Sequence, residues 1–233
     1  MRRALVFGAT GMIGRAIVAE LGGAGADVLG VSRSAEPLMA GPARLLALDP
    51  LGPAPAWDLL GDSPFDAVVW AQGTNRNDSI YAFDAAAHLA VLQANVVYVA
   101  VTLAELLRRD QLVRPARLCV VSSIWQTIAR QDKLSYTVSK AALQGLVLSA
   151  AVDLGRDGHL INAVLPGVLD TPMTRAMLTP GQIAAVEQAT LFGRLATPGD
   201  VAATVAFLCS EQNRGMTGQF VAVDLGFSHA KRL

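Results

Sequence analysis

The sequence predicts an α/β domain: a parallel, doubly wound sheet of about seven strands with helices on both faces. Three observations carry this expectation. Short apolar runs of strand length alternate with helical stretches along the whole chain, the order that parallel β-α-β units impose. The first run ends in a glycine turn that opens directly into a helix, Gly8-Ala-Thr-Gly11-Met-Ile-Gly14. Finally, 52% of the 233 residues are hydrophobic and 16% are charged, ample material for one large, well-covered core, so residues 1–233 are read as a single domain.

Residues 3–7 form the first strand. Glycines at positions 8, 11 and 14 permit a tight turn and let the backbone approach an anion at the helix N-terminus, where a pyrophosphate would sit. Thr10, Met12 and Ile13 complete that turn. The second strand runs from about Gly25 to Ser32-Arg33. At the end of this strand a dinucleotide fold faces the adenosine ribose. A hydroxyl and a guanidinium stand there instead of a carboxylate, a pair suited to a 2′-phosphate. Arg44 to Asp49 is a third strand, followed by the proline-rich loop that begins at Pro50, with at most a short helix near Trp57 to Leu60. Asp66 to Gly73 is a fourth, ending in Trp70-Ala71-Gln72-Gly73.

From Phe83 to Arg109 the pattern is helical, with Asn95 as a polar residue in an otherwise apolar middle. Arg117 to Ser122 is a fifth strand. The helix that follows, 135–155, carries Tyr136 and Lys140 four residues apart, hence on one face. An ammonium beside a phenol stabilises the phenolate, which would bring a group with a free pKa of roughly 10 toward acid–base work near neutrality. This helix is apolar on most sides and must be covered on both. A homodimer or homotetramer built on helices 83–109 and 135–155 is therefore expected, the alternative being cover by neighbouring helices of the same chain. His159 to Leu165 is a sixth strand, ended by Pro166-Gly167. The mixed segment 168–193 lies after a strand's carboxyl end, where a lid or substrate pocket is expected. A helix from Pro198 to about Ser210 and a last strand, Gln219 to Asp224, complete the pattern.

Nineteen basic residues balance nineteen acidic ones, which points away from nucleic acid and anionic membranes. The apolar runs are read as broken short of the roughly 18 residues of a membrane span. The two cysteines, Cys119 and Cys209, are isolated among apolar neighbours, as core thiols of a reducing, cytoplasmic compartment would be. No metal site is expected.

These residues together resemble the short-chain dehydrogenase/reductases, specifically their compact single-domain oxidoreductase branch, over essentially the whole chain. Asn95, Ser123, Tyr136 and Lys140 look like that family's catalytic tetrad in order and spacing, and the interval to Tyr136 selects Ser123 over Ser122. The stretch ending in Pro166-Gly167, with Val168 and Thr171, looks like the family's nicotinamide segment, Asp49 its adenine-contacting aspartate, and Ser32-Arg33 the pattern of its NADP-preferring members. The resemblance implies an NADP(H)-dependent reductase of a ketone or aldehyde. Tyr136 would be the proton donor, Ser123 the group orienting the carbonyl, Lys140 the partner of both tyrosine and cofactor ribose, and Asn95 the support of a proton-supplying water. Asn75, Arg76, Trp125, Gln126 and Met173 would line the substrate pocket. Alternatives are a non-catalytic NADP-binding regulator and, with the same Tyr-Lys pair, an epimerase or dehydratase. The chain departs from the family pattern at three places. Gly8/Gly11/Gly14 is spaced as in the larger epimerase-like branch, with Met12 in place of a glycine. Trp70-Ala-Gln-Gly73 replaces Asn-Asn-Ala-Gly, so the side-chain bonds that brace the sheet there are expected to be lost or replaced by Gln72. Asp224-Leu-Gly replaces Asp-Gly-Gly.

Overall fold

A computed structural model describes residues 3–33 and 43–230. Seven parallel strands form one sheet in the order β3-β2-β1-β4-β5-β6-β7: β1 (Arg3–Phe7), β2 (Asp27–Ser32), β3 (Arg44–Ala47), β4 (Phe65–Trp70), β5 (Leu112–Val121), β6 (Leu160–Pro166) and β7 (Phe220–Val223). The chain enters at the centre, winds outward to β3, then returns past β1 and winds the other way. Strand order therefore reverses between β1 and β4, and the carboxyl edge there is a crevice. The expected doubly wound parallel sheet is what forms.

Side chains along each strand alternate between two cores. Leu5, Phe7, Trp70, Leu118 and Val120 face one side, with Tyr98, Leu106, Leu143 and Val147. Ala4, Val6, Val69, Cys119 and Val121 face the other, with Ile17, Leu21, Val201, Val205 and Leu208. The second layer consists of α1 (Met12–Gly23) and α7 (Pro198–Cys209). The first consists of α2 (Ala85–Leu92), α3 (Tyr98–Arg108) and α4 (Leu134–Gly155). Burial on both faces is why the strands read as continuous apolar runs.

Several boundaries differ from the expected ones. The long helix does not begin at Phe83; Asp84 caps α2 by accepting from the backbone N–H groups of Ala86 and Ala87. A π-helical turn, Gln93–Val97, separates α2 from α3. Strand β5 begins at Leu112, five residues before the expected start. Its pairing with β4 jumps from Phe65↔Leu112 to Ala67↔Arg117, so an irregularity absorbs the extra residues. Segment 168–193 contains two helices, α5 (Pro172–Met177) and α6 (Pro180–Ala189), and Leu169 near its start bridges to Ala196 just beyond its end. The membrane reading also needs correction: no charge, glycine or proline interrupts the chain from Ala85 to Ala104. By length and composition Ala85–Arg108 and Leu134–Gly155 are each apolar enough to span a bilayer. Here each packs one face against the domain and leaves the other exposed, and Asn95 and Lys140 are both buried.

Bracing at the end of β4 differs as well. Trp70 Nε1 donates to Thr102 Oγ1 at 2.7 Å, and its ring stacks on Phe7 with centroids 6.0 Å apart. Gln72 does not take over; its Oε1 is buried without a partner. The indole reaches α3 from the sheet and makes the brace itself.

Candidate active site

At the carboxyl edge, α4 opens with Leu134, Ser135 and Tyr136, and β5 ends just before Ser122 and Ser123. The Ser123 hydroxyl lies near enough to Tyr136 to favour its ionised form. Lys140, one turn on, lies with Nζ 5.5 Å from the Tyr136 ring centroid and donates to Val121 O at 3.1 Å. Asn95 arrives from the π turn, an insertion that re-aims a side chain and recurs at functional sites. Its Oδ1 accepts from Thr74 N at 2.7 Å; its Nδ2 donates to Thr74 O at 3.0 Å and to Ser139 Oγ at 2.8 Å. Ser139 in turn donates to Tyr136 O at 2.8 Å. A Cβ on Gly73 would lie 3.1 Å from Asn95 Oδ1 and 3.7 Å from Lys140 Nζ. Asn95 and Lys140 thus meet beside Gly73, with the Tyr136 ring next to Lys140.

Burial dominates the electrostatics. Lys140 is 4% exposed, and desolvation of its ammonium pulls its pKa down to about 8. Tyr136 moves the opposite way from the expectation. Burial raises its hydroxyl above the usual phenol range, and the hydrogen bond from Ser123 offsets only part of this. Desolvation penalises the charged form of each group, so lysine falls and tyrosine rises. The arrangement favours a neutral phenol, a proton donor, over a phenolate.

The crevice beside these residues fits a dinucleotide. Gly11 caps α1 with no side-chain hydrogen bond and no acid in the first turn, which leaves backbone N–H groups for an anion. Gly8 adopts φ +76°, and a Cβ there would lie 2.5 Å from Gln72 N; one on Gly14 would lie 2.1 Å from Gly8 O. The turn is therefore closed against the backbone of Ala71 and Gln72, just after β4. Thr10 Oγ1 and Ser32 Oγ are 3.0 Å apart, and Arg33 is exposed at the end of β2. Asp49 is exposed beyond β3, accepting from Leu51 N at 3.2 Å, and Pro50 is buried. Gly167 packs against Asp224, whose Cβ would be 2.7 Å from an added Cβ. Thr171 caps α5 through Thr174 N.

The residues expected to line a substrate pocket have different surroundings. Trp125 stands edge-on to Phe227, centroids 6.4 Å apart, a wall shared with the C-terminal segment. Gln126 is buried and accepts from Ser122 Oγ at 2.8 Å, with Nε2 unpartnered. The Asn75 side chain accepts from Lys133 Nζ at 2.9 Å, Arg76 pairs with Asp84 at 3.6 Å, and Met173 on α5 is 67% exposed. Sequence reasoning missed Thr74 and Ser139, which hold Asn95; a serine three residues after Tyr136 on the same helix was the available signal.

Residues 63–228 match the family model described as Enoyl-(Acyl carrier protein) reductase. The cis-4-hydroxycyclohexanecarboxylate dehydrogenase of Sinomonas cyclohexanicum is 33% identical over 64% of this chain, a match that spans 59% of that relative's length. The 3-oxoacyl-[acyl-carrier-protein] reductase FabG of Escherichia coli is 28% identical over 96% of both chains. A crystal structure of an oxidoreductase of the short chain dehydrogenase/reductase family from Burkholderia thailandensis superposes with a TM-score of 0.89 at 29% identity, covering 99% of this chain and 94% of the other. With the family model covering most of the chain and the parallel sheet shared end to end, the chain belongs to the short-chain dehydrogenase/reductase family of oxidoreductases, whose members bind a nicotinamide cofactor.

Proposed function

We propose that this protein is an NADP(H)-dependent reductase of a ketone or aldehyde, reversible as an alcohol dehydrogenase. The observation that carries the reading is Tyr136 with the Lys140 ammonium beside its ring and the Ser123 hydroxyl near enough to ease its ionisation. A nicotinamide cofactor, when bound, would supply the hydride that the carbonyl carbon accepts. Tyr136 delivers its hydroxyl proton to the carbonyl oxygen, so that the C=O becomes CH–OH. Ser123 donates a hydrogen bond to that oxygen and fixes it near the phenol, an oxyanion-type contribution. Lys140 supports the transient phenolate and holds the ribose. Asn95, fixed on Thr74 and Ser139, holds the water through which Lys140 passes a proton back from solvent.

The cofactor would lie along Gly8, Thr10, Gly11, Met12, Ile13 and Gly14, with Ala71, Gln72 and Gly73 beneath it. Pro166, Gly167, Val168 and Thr171 would meet its nicotinamide end, and Asp49 and Pro50 its adenine. The Thr10–Ser32 hydroxyl pair and the exposed Arg33 support NADP(H) over NAD(H), because the end of β2 offers donors to a 2′-phosphate. Trp125, Gln126, Asn75, Arg76 and Met173 would bound the substrate, with 168–193 as the substrate-side segment.

A second copy of the chain would cover the outer faces of α3 and α4, where Val101, Leu148 and Val152 are exposed; Val152, at 80%, is too apolar for so open a position. The free, buried Cys119 and Cys209 suit the reducing cytoplasm. NADPH consumption over a panel of ketones, quinones, sugars and β-ketoacyl thioesters tests the reading. Turnover of at least one carbonyl class is expected; NADPH binding without turnover of any would contradict it.

A further inference from the structure

Four helices that follow loops, α2, α5, α6 and α7, are capped by their own side chains: Asp84, Thr171, Thr179 and Thr197. Helix α4 is not. Its N-cap position is Lys133, which makes no side-chain cap bond. The cap comes from elsewhere in the chain. One carboxylate oxygen of Asp78, in the loop after β4, accepts from Ser135 N at 3.0 Å, and the other accepts from the Ser135 hydroxyl. The Asp78 backbone joins the same turn, donating to Asp132 O at 3.3 Å and accepting from Leu134 N at 3.2 Å. Asp78 is 8% exposed and Ser135 fully buried.

We infer that Asp78 is a positioning residue for the reaction, its carboxylate supplying the N-terminal cap that α4 lacks and so fixing the turn on which Tyr136 sits. The inference rests on Tyr136 being the acid–base group proposed above. Tyr136 directly follows Ser135, so the capping bonds end one residue from the reacting hydroxyl. The rest of the loop is held as well. Asn95 grips Thr74, and Lys133 Nζ holds Asn75 and Asn77 at 2.9 and 2.5 Å. The loop that walls the crevice and the helix that carries the acid are thereby one unit. Burial alone would raise the Asp78 carboxyl, but its bonds from Ser135, with Arg76 and His88 nearby, bring it below the usual carboxylate range. It is an anion at a helix N-terminus, where negative charge is favoured. His88 Nδ1, 2.8 Å from Ser135 Oγ, closes the chain by donating to the oxygen whose proton Asp78 holds.

The test is steady-state kinetics of Asp78→Ala and Asp78→Asn, on a carbonyl found in the panel, with NADPH affinity measured by fluorescence titration. A 1 Å misplacement of a reacting group costs about 100-fold, so Asp78→Ala should lose about 10- to 100-fold in kcat with NADPH affinity within about threefold. Asparagine keeps an acceptor for Ser135 N–H, and its amide can donate to Ser135 Oγ while that hydroxyl turns to His88. Asp78→Asn should therefore regain most of the lost kcat. Asp78→Ala/Ser135→Ala removes the stranded hydroxyl and gives a second variant should the alanine variant not fold; it should be as slow as Asp78→Ala is expected to be. Wild-type kcat in the alanine variants, or equal losses in Asp78→Ala and Asp78→Asn, would overturn the inference. A Tyr136→Phe control separates the two levels. If it keeps full turnover, the proposed function fails; if it is inactive while Asp78→Ala is unimpaired, only the positioning role fails.

Discussion

The side-chain amide of Asn95 clasps the backbone of Thr74, accepting its N–H at 2.7 Å and donating to its carbonyl at 3.0 Å. One residue in a π turn thus ties the loop after β4 to Ser139 on α4. Because every partner is supplied by another segment, this amide fixes the crevice wall against the helix of Tyr136.

Asn95→Ala removes three bonds and leaves the Thr74 peptide and Ser139 to find others. Unfolding free energy should fall by about 1–3 kcal/mol in urea titration. The same variant should lose about 10- to 100-fold in kcat, since the crevice wall, and with it the proposed site of a proton-supplying water, loses its support.

The Trp70–Thr102 bond allows a purely structural test. Thr102→Val keeps the shape but removes the acceptor for a buried indole N–H. It should cost about 1–3 kcal/mol of stability while kcat per folded enzyme stays at the wild-type value, as thermal unfolding and kinetics together will show.

Lys140 makes stability depend on pH with a definite sign. Its folded pKa, about 8, lies below the ordinary 10.5, so between these values the unfolded chain binds more protons than the native one. Stability contributed by this group therefore rises as pH climbs from 8 toward 10.5, and below pH 8 the fold carries the full cost of a buried ammonium. Lys140→Met should abolish the rise. Its stability relative to wild type should be greater at pH 7 than at pH 10 by roughly 1–3 kcal/mol, measured by denaturant titration at each pH.

Much of this was legible in the sequence, and the gaps have physical causes. The alternation of strands and helices, the glycine turn and the i, i+4 spacing of Tyr136 and Lys140 are local patterns, and all appear in the structure. The π turn was not legible, because a shift in backbone hydrogen bonding leaves no trace in side-chain periodicity. Asp78 and Ser135 are 57 positions apart, so their capping relation exists only once β4 and α4 are side by side. The brace at Trp70 was not legible either, because motif comparison locates a role by position, whereas the indole reaches Thr102 through the core. Spacing placed Lys140 beside Tyr136, but spacing cannot weigh desolvation, which outweighed the expected lowering of the phenol.

The cofactor preference should reverse with two side chains. Ser32→Asp with Arg33→Ala places a carboxylate against the 2′-phosphate and removes the guanidinium. The ratio of kcat/KM for NADPH to that for NADH should drop by at least about 10- to 100-fold, the worth of a charge-assisted hydrogen bond; an unchanged ratio would count against Arg33 as the phosphate ligand.

The most direct measurement is single-turnover hydride transfer in Tyr136→Phe, followed by loss of NADPH absorbance with cofactor and carbonyl saturating. Removing one hydroxyl leaves the ring packing and the cofactor crevice in place, so NADPH should still bind. Transfer should slow by about 100- to 10,000-fold, the usual contribution of a positioned general acid. Transfer at the wild-type rate, with NADPH bound, would contradict the assignment of Tyr136 as the proton donor.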